Sequence, residues 1–332
     1  MFYSTLIFGT LISISSYSWM GMWLGLEINL LSIIPLMSDS KNPMASEASM
    51  KYFITQSLAS MILLFSLIMM SLNFFFINSF ILTSIFYTSL FIKMGAAPFH
   101  FWFPEIMEGL SWMNSFIMLT WQKIAPLILI TYPNFNSFNY LVLIVILCTI
   151  ISGIMGMNQT NMRKILAYSS INHLSWMISS MLFFETIWMF YFLSYMIINF
   201  NIIILLKNLN IYNMNQLFSY SNNYPLIKFF FMLNFMSLGG LPPFLGFLPK
   251  WLTIQMMIKM NMYFISLLII MMTLITLYFY MRIVTTGMIM SINTKLPYEK
   301  SFEFMKNFNN IYMFNFIVLM SLLFITIMFN LN

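Results

Sequence analysis

Long apolar runs, separated by short polar connections, dominate the pattern of the chain. A helix needs about 20 apolar residues to cross the hydrocarbon core of a bilayer, and eleven such runs can be traced. The predicted spans cover residues 2–18, 19–38, 50–72, 78–107, 110–132, 139–157, 162–184, 186–206, 226–258, 262–286 and 310–331. The pattern predicts an all-α integral membrane protein with about eleven transmembrane helices, in a single membrane domain over residues 1–332.

Two of these spans, 78–107 and 226–258, are about 30 residues long and carry nearly the same segment. The first segment begins at Gly95 and reads GAAPFHFWFPE, and the second begins at Gly240 and reads GLPPFLGFLPK. The two segments align without a gap at an offset of 145 residues. Because proline breaks a helix, both spans are expected to be interrupted within the membrane. The residues predicted to form the breaks are Gly95, Pro98, Gly240, Pro242 and Pro243.

The basic residues indicate an orientation for these spans. Ten lysines and arginines fall on the side of the N-terminus, and Lys259 falls on the opposite side. Such an excess marks the side on which a membrane protein is made, so the C-terminus is expected on the other side. The two interrupted spans then run in opposite directions, as an inverted repeat requires. The predicted repeats are residues 1–132 and 139–286, with an additional C-terminal helix at 310–331.

Composition supports a membrane protein and excludes several other classes. The chain is 61% hydrophobic and 7% charged, whereas soluble domains are about 25% charged. Its net charge of +6 could suggest nucleic acid, but the basic residues do not cluster as a binding patch requires. The single cysteine, Cys148, excludes a disulfide framework and a Cys-ligated cluster within this chain.

Four charged residues fall where charge is costly: Glu27, Lys93, Lys123 and Lys250. A charge at the centre of a membrane helix costs roughly 2.5–3.5 kcal/mol on insertion scales. Burial disfavours the charged form of such groups, so a row of them linked by water suits proton transfer. Two alternatives remain open: Lys93 and Lys250 could extend to the membrane surface, and Glu27 could simply pair with a lysine to hold helices together.

Two histidines are further candidates for a proton relay. His100 falls in the first break and His173 falls in the span 162–184, although a lone histidine in a helix more often just bonds a neighbour. They are 73 residues apart without a nearby thiol, so no metal is expected. Glu47 and Lys51 have the i,i+4 spacing of an ion pair.

A set of motifs in a specific order extends over most of the chain. The motifs are Gly25-Leu26-Glu27, Glu47-Ala48, Lys51-Tyr52-Phe53, Gly95 to Glu105, Thr120 to Pro126, Asn158-Gln159-Thr160, Arg163-Lys164, Tyr168-Ser169-Ser170 and Leu238 to Trp251. Together they resemble the subunit 2 family of mitochondrial NADH dehydrogenase (ubiquinone), the respiratory complex I. The composition is similar to that of arthropod members.

The resemblance implies an antiporter-like subunit in the membrane arm of a proton-pumping complex. It assigns proton transfer to Glu27, Lys93, Lys123 and Lys250, and places FMN, iron–sulfur clusters and ubiquinone in other subunits, with no cofactor in this chain. Implied partners are other membrane-arm and accessory subunits and lipid, not nucleic acid. The implied location is the mitochondrial inner membrane, multi-pass, with the N-terminus in the matrix and the C-terminus in the intermembrane space.

Two other functions are compatible with the same residues. The chain could be a stand-alone cation/proton antiporter of the same fold, or a structural membrane-arm subunit that does not pump.

The offset of 145 between the two Gly/Pro segments also places Lys250 opposite Glu105. The two halves are therefore expected to differ in charge.

Overall fold

The computed structural model describes residues 1–39, 41–72, 79–133, 137–221, 225–289 and 315–316. Within them, regular structure is helical apart from one isolated antiparallel bridge between Asn161 and Asn213. The helices delimited there are α1 Phe2–Ser15, α2 Trp19–Met37, α3 Pro43–Ser71, α4 Ser79–Met94, α5 Trp102–Gly109, α6 Trp112–Leu119, α7 Trp121–Thr131, α8 Phe138–Met157, α9 Met162–Met181, α10 Glu185–Asn208, α11 Met214–Ser221, α12 Pro225–Gly239, α13 Phe247–Lys259 and α14 Tyr263–Ile289. Apart from residues 315–316, the predicted span 310–331 lies outside the described residues.

Six helical segments in the described part of the chain are long and apolar enough to cross a membrane. They are Trp19–Met37, Pro43–Ser71, Trp112–Thr131, Phe138–Met157, Thr186–Asn208 and Tyr263–Gly287. Two shorter apolar helices, Phe2–Ser15 and Phe80–Met94, add to them. The predicted all-α membrane class is confirmed.

Helix α9 was predicted as a span although it is unusually polar. Every residue from Ile165 to Met181 is buried. The serines of this helix avoid the cost of a buried, unsatisfied hydroxyl because each donates to a carbonyl one turn earlier. These bonds run from Ser169, Ser170, Ser175, Ser179 and Ser180 to Leu166, Ala167, Asn172, Trp176 and Met177, at 2.6–2.8 Å. A polar helix can therefore occupy the protein interior.

Both predicted breaks are present. Helix α4 ends at Met94 and α5 begins at Trp102, while α12 ends at Gly239 and α13 begins at Phe247. The starts of α5 and α13 differ by 145 residues, the offset of the sequence repeat. A third interruption, which the sequence did not predict, lies at Thr120 between α6 and α7, where φ is −119° and ψ is −72°.

The chain divides into two compact units. The first contains Met1–Ser152 and Leu166–Leu182, and the second contains Gly153–Ile165 and Phe183–Asn332. In the first unit α3 packs against α2, α4 and α5, and α4 packs against α7. In the second, α12 and α13 each pack against α10 and α14. The predicted repeat 1–132 lies wholly within the first unit, and its relation to 139–286 by inversion stays a prediction.

A close approach of α1 and α2 positions the helix that carries Glu27. A Cβ atom added at Gly25 would lie 2.5 Å from the backbone nitrogen of Ser13 and 2.8 Å from the carbonyl oxygen of Gly9. Small residues let helix backbones meet in this way inside membranes. The glycine two residues before Glu27 therefore sets the distance between α1 and α2.

Candidate functional site

The two breaks have the same backbone geometry. Gly95 and Gly240 adopt φ values of 71° and 79°, a left-handed conformation that glycine reaches without a Cβ clash. In the first break, the N–H groups of Gly95 and Ala96 donate to the carbonyls of Ile92 and Phe91. In the second, those of Gly240 and Leu241 donate to the carbonyls of Ser237 and Met236. Both are Schellman motifs, so the sequence repeat is also a local structural repeat.

A buried lysine accompanies each of the three interruptions in the described residues. Lys93 is the penultimate residue of α4, Lys123 follows the Thr120 interruption, and Lys250 is in the first turn of α13. Their side chains are 6%, 1% and 8% exposed, respectively. The alternative in which Lys93 and Lys250 extend to the surface is not compatible with this burial.

Lys93 interacts with Glu27 and with a polar cavity in the first unit. Glu27 on α2 acts electrostatically on Lys93, and its Oε1 atom is buried without a hydrogen-bond partner among the described residues. The cavity beside Lys93 leaves about 10 Å³ open to the centre of a water molecule, which is close to the space that one water needs. The lining residues are Leu26, Asn29, Leu30, Tyr52, Gln56, Lys93, Gln122 and Pro126.

A chain of side-chain hydrogen bonds crosses this cavity wall. The Tyr52 hydroxyl donates to Gln122 Oε1 at 3.2 Å, and Gln122 Nε2 donates to Asn29 Oδ1 at 3.0 Å. In addition, Gln56 Nε2 donates to the backbone carbonyl of Lys93 at 3.3 Å. All four polar side chains are buried, so the bonds avoid the cost of unsatisfied polar groups in an apolar interior.

Lys123 has a different environment from that of the preceding Gln122. Its Nζ atom lies 5.2 Å from the centre of the Phe103 ring, within the range of a cation–π interaction. The Cys148 thiol lies near it. The Cys148 Sγ atom accepts the N–H of Ala97 at 3.2 Å, so Cys148 holds the backbone of the first break near Lys123.

Lys250 binds the end of α12 across the second break. Its Nζ donates to the carbonyls of Leu238 at 3.2 Å and Gly239 at 2.9 Å. These carbonyls lie at the negative end of the helix dipole, where a cation is stabilised. A Cβ atom on Gly240 would lie 2.7 Å from Lys250 Cδ. The absence of a side chain at this position therefore makes room for the lysine.

The corresponding helix end in the first break has a different donor. The offset of 145 places Lys93 opposite Leu238, and the carbonyl of Lys93 accepts from the amide of Gln56 rather than from an ammonium group. The residue opposite Lys250 is Glu105, which accepts from Lys51 at 2.8 Å in an exposed position. The predicted difference in charge between the two halves is therefore also a difference in how the two helix ends are capped.

The remaining sequence candidates have less specific surroundings. His100 is buried in the first break, with Nδ1 3.2 Å from the carbonyl oxygen of Pro98, and His173 is buried in α9. The predicted Glu47–Lys51 pair is confirmed at 3.0 Å. No group of three or more potential metal ligands occurs among the described residues. A relay role for either histidine stays a prediction.

Comparison with known proteins decides the family. Residues 16–276 match the family described as NADH:quinone oxidoreductase/Mrp antiporter, TM. NADH-ubiquinone oxidoreductase chain 2 of Aedes aegypti is 52% identical over 99% of this chain and 97% of its own length. The protein of the same name from Anopheles gambiae is 50% identical over 93% and 90%, respectively. The chain belongs to the NADH-ubiquinone oxidoreductase chain 2 family.

Solved structures with low sequence identity share the fold. A chain of respiratory complex I from Thermus thermophilus is 21% identical with a TM-score of 0.80, covering 96% of this chain and 76% of that one. A chain of the Mrp complex from Dietzia is 17% identical with a TM-score of 0.76, covering 89% and 61%. These comparisons confirm the antiporter-like fold.

Reasoning from the sequence missed the uncharged part of the site. Asn29, Tyr52, Gln56 and Gln122 were not assigned a role, although Tyr52 and Gln122 lie in motifs that carry the resemblance. One signal was present, because Tyr52 and Gln56 have the i,i+4 spacing of one helix face. However, amides in an apolar run do not show which helix they face.

Proposed function

We propose that the chain is a proton-translocating membrane subunit of an NADH:ubiquinone oxidoreductase, with no redox centre of its own. Its relatives at about 50% identity are named as chain 2 of that enzyme. The observation that carries the proton role is the placement of Lys93, Lys123 and Lys250, each buried beside a helix interruption. Interrupted membrane helices free backbone groups that can hold water and ions.

In the proposed mechanism, Glu27 and Lys93 form a switchable pair. Electron transfer elsewhere in the complex changes the local field, and Glu27 then moves or changes partner. Lys93 loses the stabilisation of its charge, and its proton passes towards Lys123. Lys250 serves the second half-path and exchanges protons with the opposite side. Between transfers, the carbonyls at the end of α12 stabilise its ammonium group.

The same proposal includes location, partners and topology. The chain resides in the mitochondrial inner membrane as a multi-pass subunit, with the N-terminus in the matrix and the C-terminus in the intermembrane space. Residues 1–132 and 139–286 form the inverted repeats, and 310–331 adds a helix. Other membrane-arm and accessory subunits and lipid are its partners, without nucleic acid. FMN, iron–sulfur clusters and ubiquinone are held by other subunits.

The test uses lysine variants in the assembled complex. Lys123→Met and Lys93→Met should each abolish most NADH-driven proton uptake in closed membrane vesicles, normalised to the amount of complex on a native gel. Lys259→Met is the control because Lys259 is exposed at the end of α13, and it should behave as wild type.

Two outcomes would favour the alternatives. If the lysine variants assemble and pump normally, the chain is a structural subunit with static charges. If the isolated chain is stable and exchanges cations for protons by itself, it is a stand-alone antiporter. Because the family description includes Mrp antiporters, the measurement of cation/proton exchange by the isolated chain is a necessary control.

A further inference from the structure

Two buried amides join the helix that carries Glu27 to the helix that carries Lys123. Asn29 lies two residues after Glu27 on α2, and Gln122 immediately precedes Lys123 on α7. The Gln122 amide donates to Asn29 Oδ1 at 3.0 Å. The bond therefore connects the backbone segments of the proposed carboxylate and of the proposed second proton carrier.

The hydroxyl of Tyr52 extends this pair to a third helix, α3. Because Tyr52 donates to Gln122 Oε1, the oxygen of the Gln122 amide faces α3 and its NH2 group faces α2. The donors and acceptors then run in one sense, from Tyr52 through Gln122 to Asn29. A reversed Gln122 amide would place its oxygen against Asn29 Oδ1, so that two acceptors meet, whereas the Tyr52 hydroxyl could accept from the reversed NH2 group. The orientation of the Gln122 amide is thus tied to that of the Asn29 amide, and Tyr52 adds a second hydrogen bond to Gln122.

The pair also lies in the wall of the cavity beside Lys93. Asn29, Tyr52, Gln56 and Gln122 line this cavity, whose size is close to what one water needs. Because this space has room for only about one water, a shift of α2 that separates the amides would leave buried polar groups unsatisfied, at a desolvation cost. A movement of α2 is therefore transmitted to α7 or breaks this bond.

We infer that the Asn29–Gln122 amide pair, which Tyr52 contacts from α3, is the positioning element that couples movement of Glu27 to the position of Lys123. This inference rests on the proposed proton-translocating function. When Glu27 changes partner, α2 carries Asn29 with it, and the amide bond moves the start of α7. The neighbouring Thr120 interruption allows α7 to move without the whole of α6. These amides hold and align the proton carriers and do not themselves carry protons.

The experiment measures single and double variants of the pair in the assembled complex. Asn29→Leu and Gln122→Leu should each lower the rate of NADH-driven proton uptake per complex about 2- to 30-fold, the usual range for residues that transmit coupling. The double variant should be no worse than the more damaged single variant, because either change removes the same bond. If the fold-losses of the two single variants multiply in the double variant, the inference is overturned.

An exchange of the two side chains tests whether the bond itself matters. The double variant Asn29→Gln/Gln122→Asn keeps two amides and the same summed side-chain length, so it should recover most of the lost rate. Tyr52→Phe should lower the rate less than Gln122→Leu, since it removes the contact of Gln122 with α3 but keeps the hydrogen bond between Gln122 and Asn29. No recovery by the exchange, with normal assembly, would contradict the inference.

Asn114→Leu is the matched control. Asn114 on α6 donates to the carbonyl of Leu36 at the end of α2, at 2.7 Å. Its loss removes a hydrogen bond to α2 from α6, the helix that precedes α7. It should change the amount of assembled complex without changing the rate per complex. If Lys123→Met pumps normally, the proposed function fails. If Lys123→Met is inactive but the amide variants are normal, only the coupling inference fails.

Discussion

Replacement of Lys250 by glutamine and by methionine separates a structural cap from a proton carrier. Both variants remove the titratable ammonium group. Glutamine keeps a donor that can reach a carbonyl at the end of α12, whereas methionine keeps only a similar apolar volume. Only glutamine can therefore cap the end of α12, and neither side chain can exchange protons at this position.

The structure gives the expected size of the stability effect. Lys250→Met leaves the carbonyls of Leu238 and Gly239 without the donor that Lys250 supplied, at a cost of about 1–3 kcal/mol for each buried group. The same change removes the desolvation penalty of a buried ion, which is several kcal/mol. These contributions have opposite signs and similar sizes. We therefore expect only a small net change for methionine, and a complex at least as stable for glutamine.

Proton transport should respond differently from stability. Lys250→Gln and Lys250→Met should both assemble, as measured by native gel electrophoresis, and both should lose most NADH-driven proton uptake, as measured with a pH-sensitive dye in closed vesicles. Lys259→Met on the same helix should match wild type in both assays. A Lys250→Gln complex that pumps at the wild-type rate would refute the reasoning, because the cap alone would then be sufficient.

Three further variants test the backbone geometry of the site, with native gels for assembly and dye quenching for proton uptake. Gly240→Ala should lower both assembly and proton uptake, because a left-handed backbone costs about 1–2 kcal/mol without glycine and the new Cβ displaces Lys250. Wild-type proton uptake would contradict this. Gly25→Ala should reduce the amount of assembled complex, because overpacking of α1 against α2 costs about 1–3 kcal/mol of stability. Wild-type assembly would show that the two helices can separate freely. Cys148→Val should lower stability by about 1 kcal/mol, because it removes the acceptor of the Ala97 N–H, whereas Cys148→Ser should be nearly neutral. Equal assembly of the two variants would exclude a role for Cys148 as this acceptor.

The two breaks show how a repeated sequence acquires two different uses. Gly95 and Gly240 end their helices with the same pair of backbone hydrogen bonds, so the geometry of the break is common to both. The capping donor is a neutral amide from Gln56 in one case and an ammonium group from Lys250 in the other. A change of protonation can therefore alter the second helix end directly, whereas the first is held by a group that does not titrate.

The sequence alone determined the features that depend on local composition. Apolar length identified the membrane class, and the Gly/Pro segments located the breaks near Gly95 and Gly240, because the backbone there needs residues with unusual conformational properties. The cost of charge in an apolar run singled out Lys93, Lys123 and Lys250. Each of these inferences needs information only from one continuous stretch of the chain, at most the length of one span.

Only the tertiary structure decided which side chains meet. The Thr120 interruption contains neither glycine nor proline, so it lacks the signal that located the other two breaks. Asn29, Tyr52 and Gln122 come from three helices, and their bonds arise from the rotation of each helix about its axis when packed. The partners of Lys250 are backbone carbonyls, which every residue possesses. Side-chain type therefore specifies the cost of burial, whereas packing specifies the partner that offsets it.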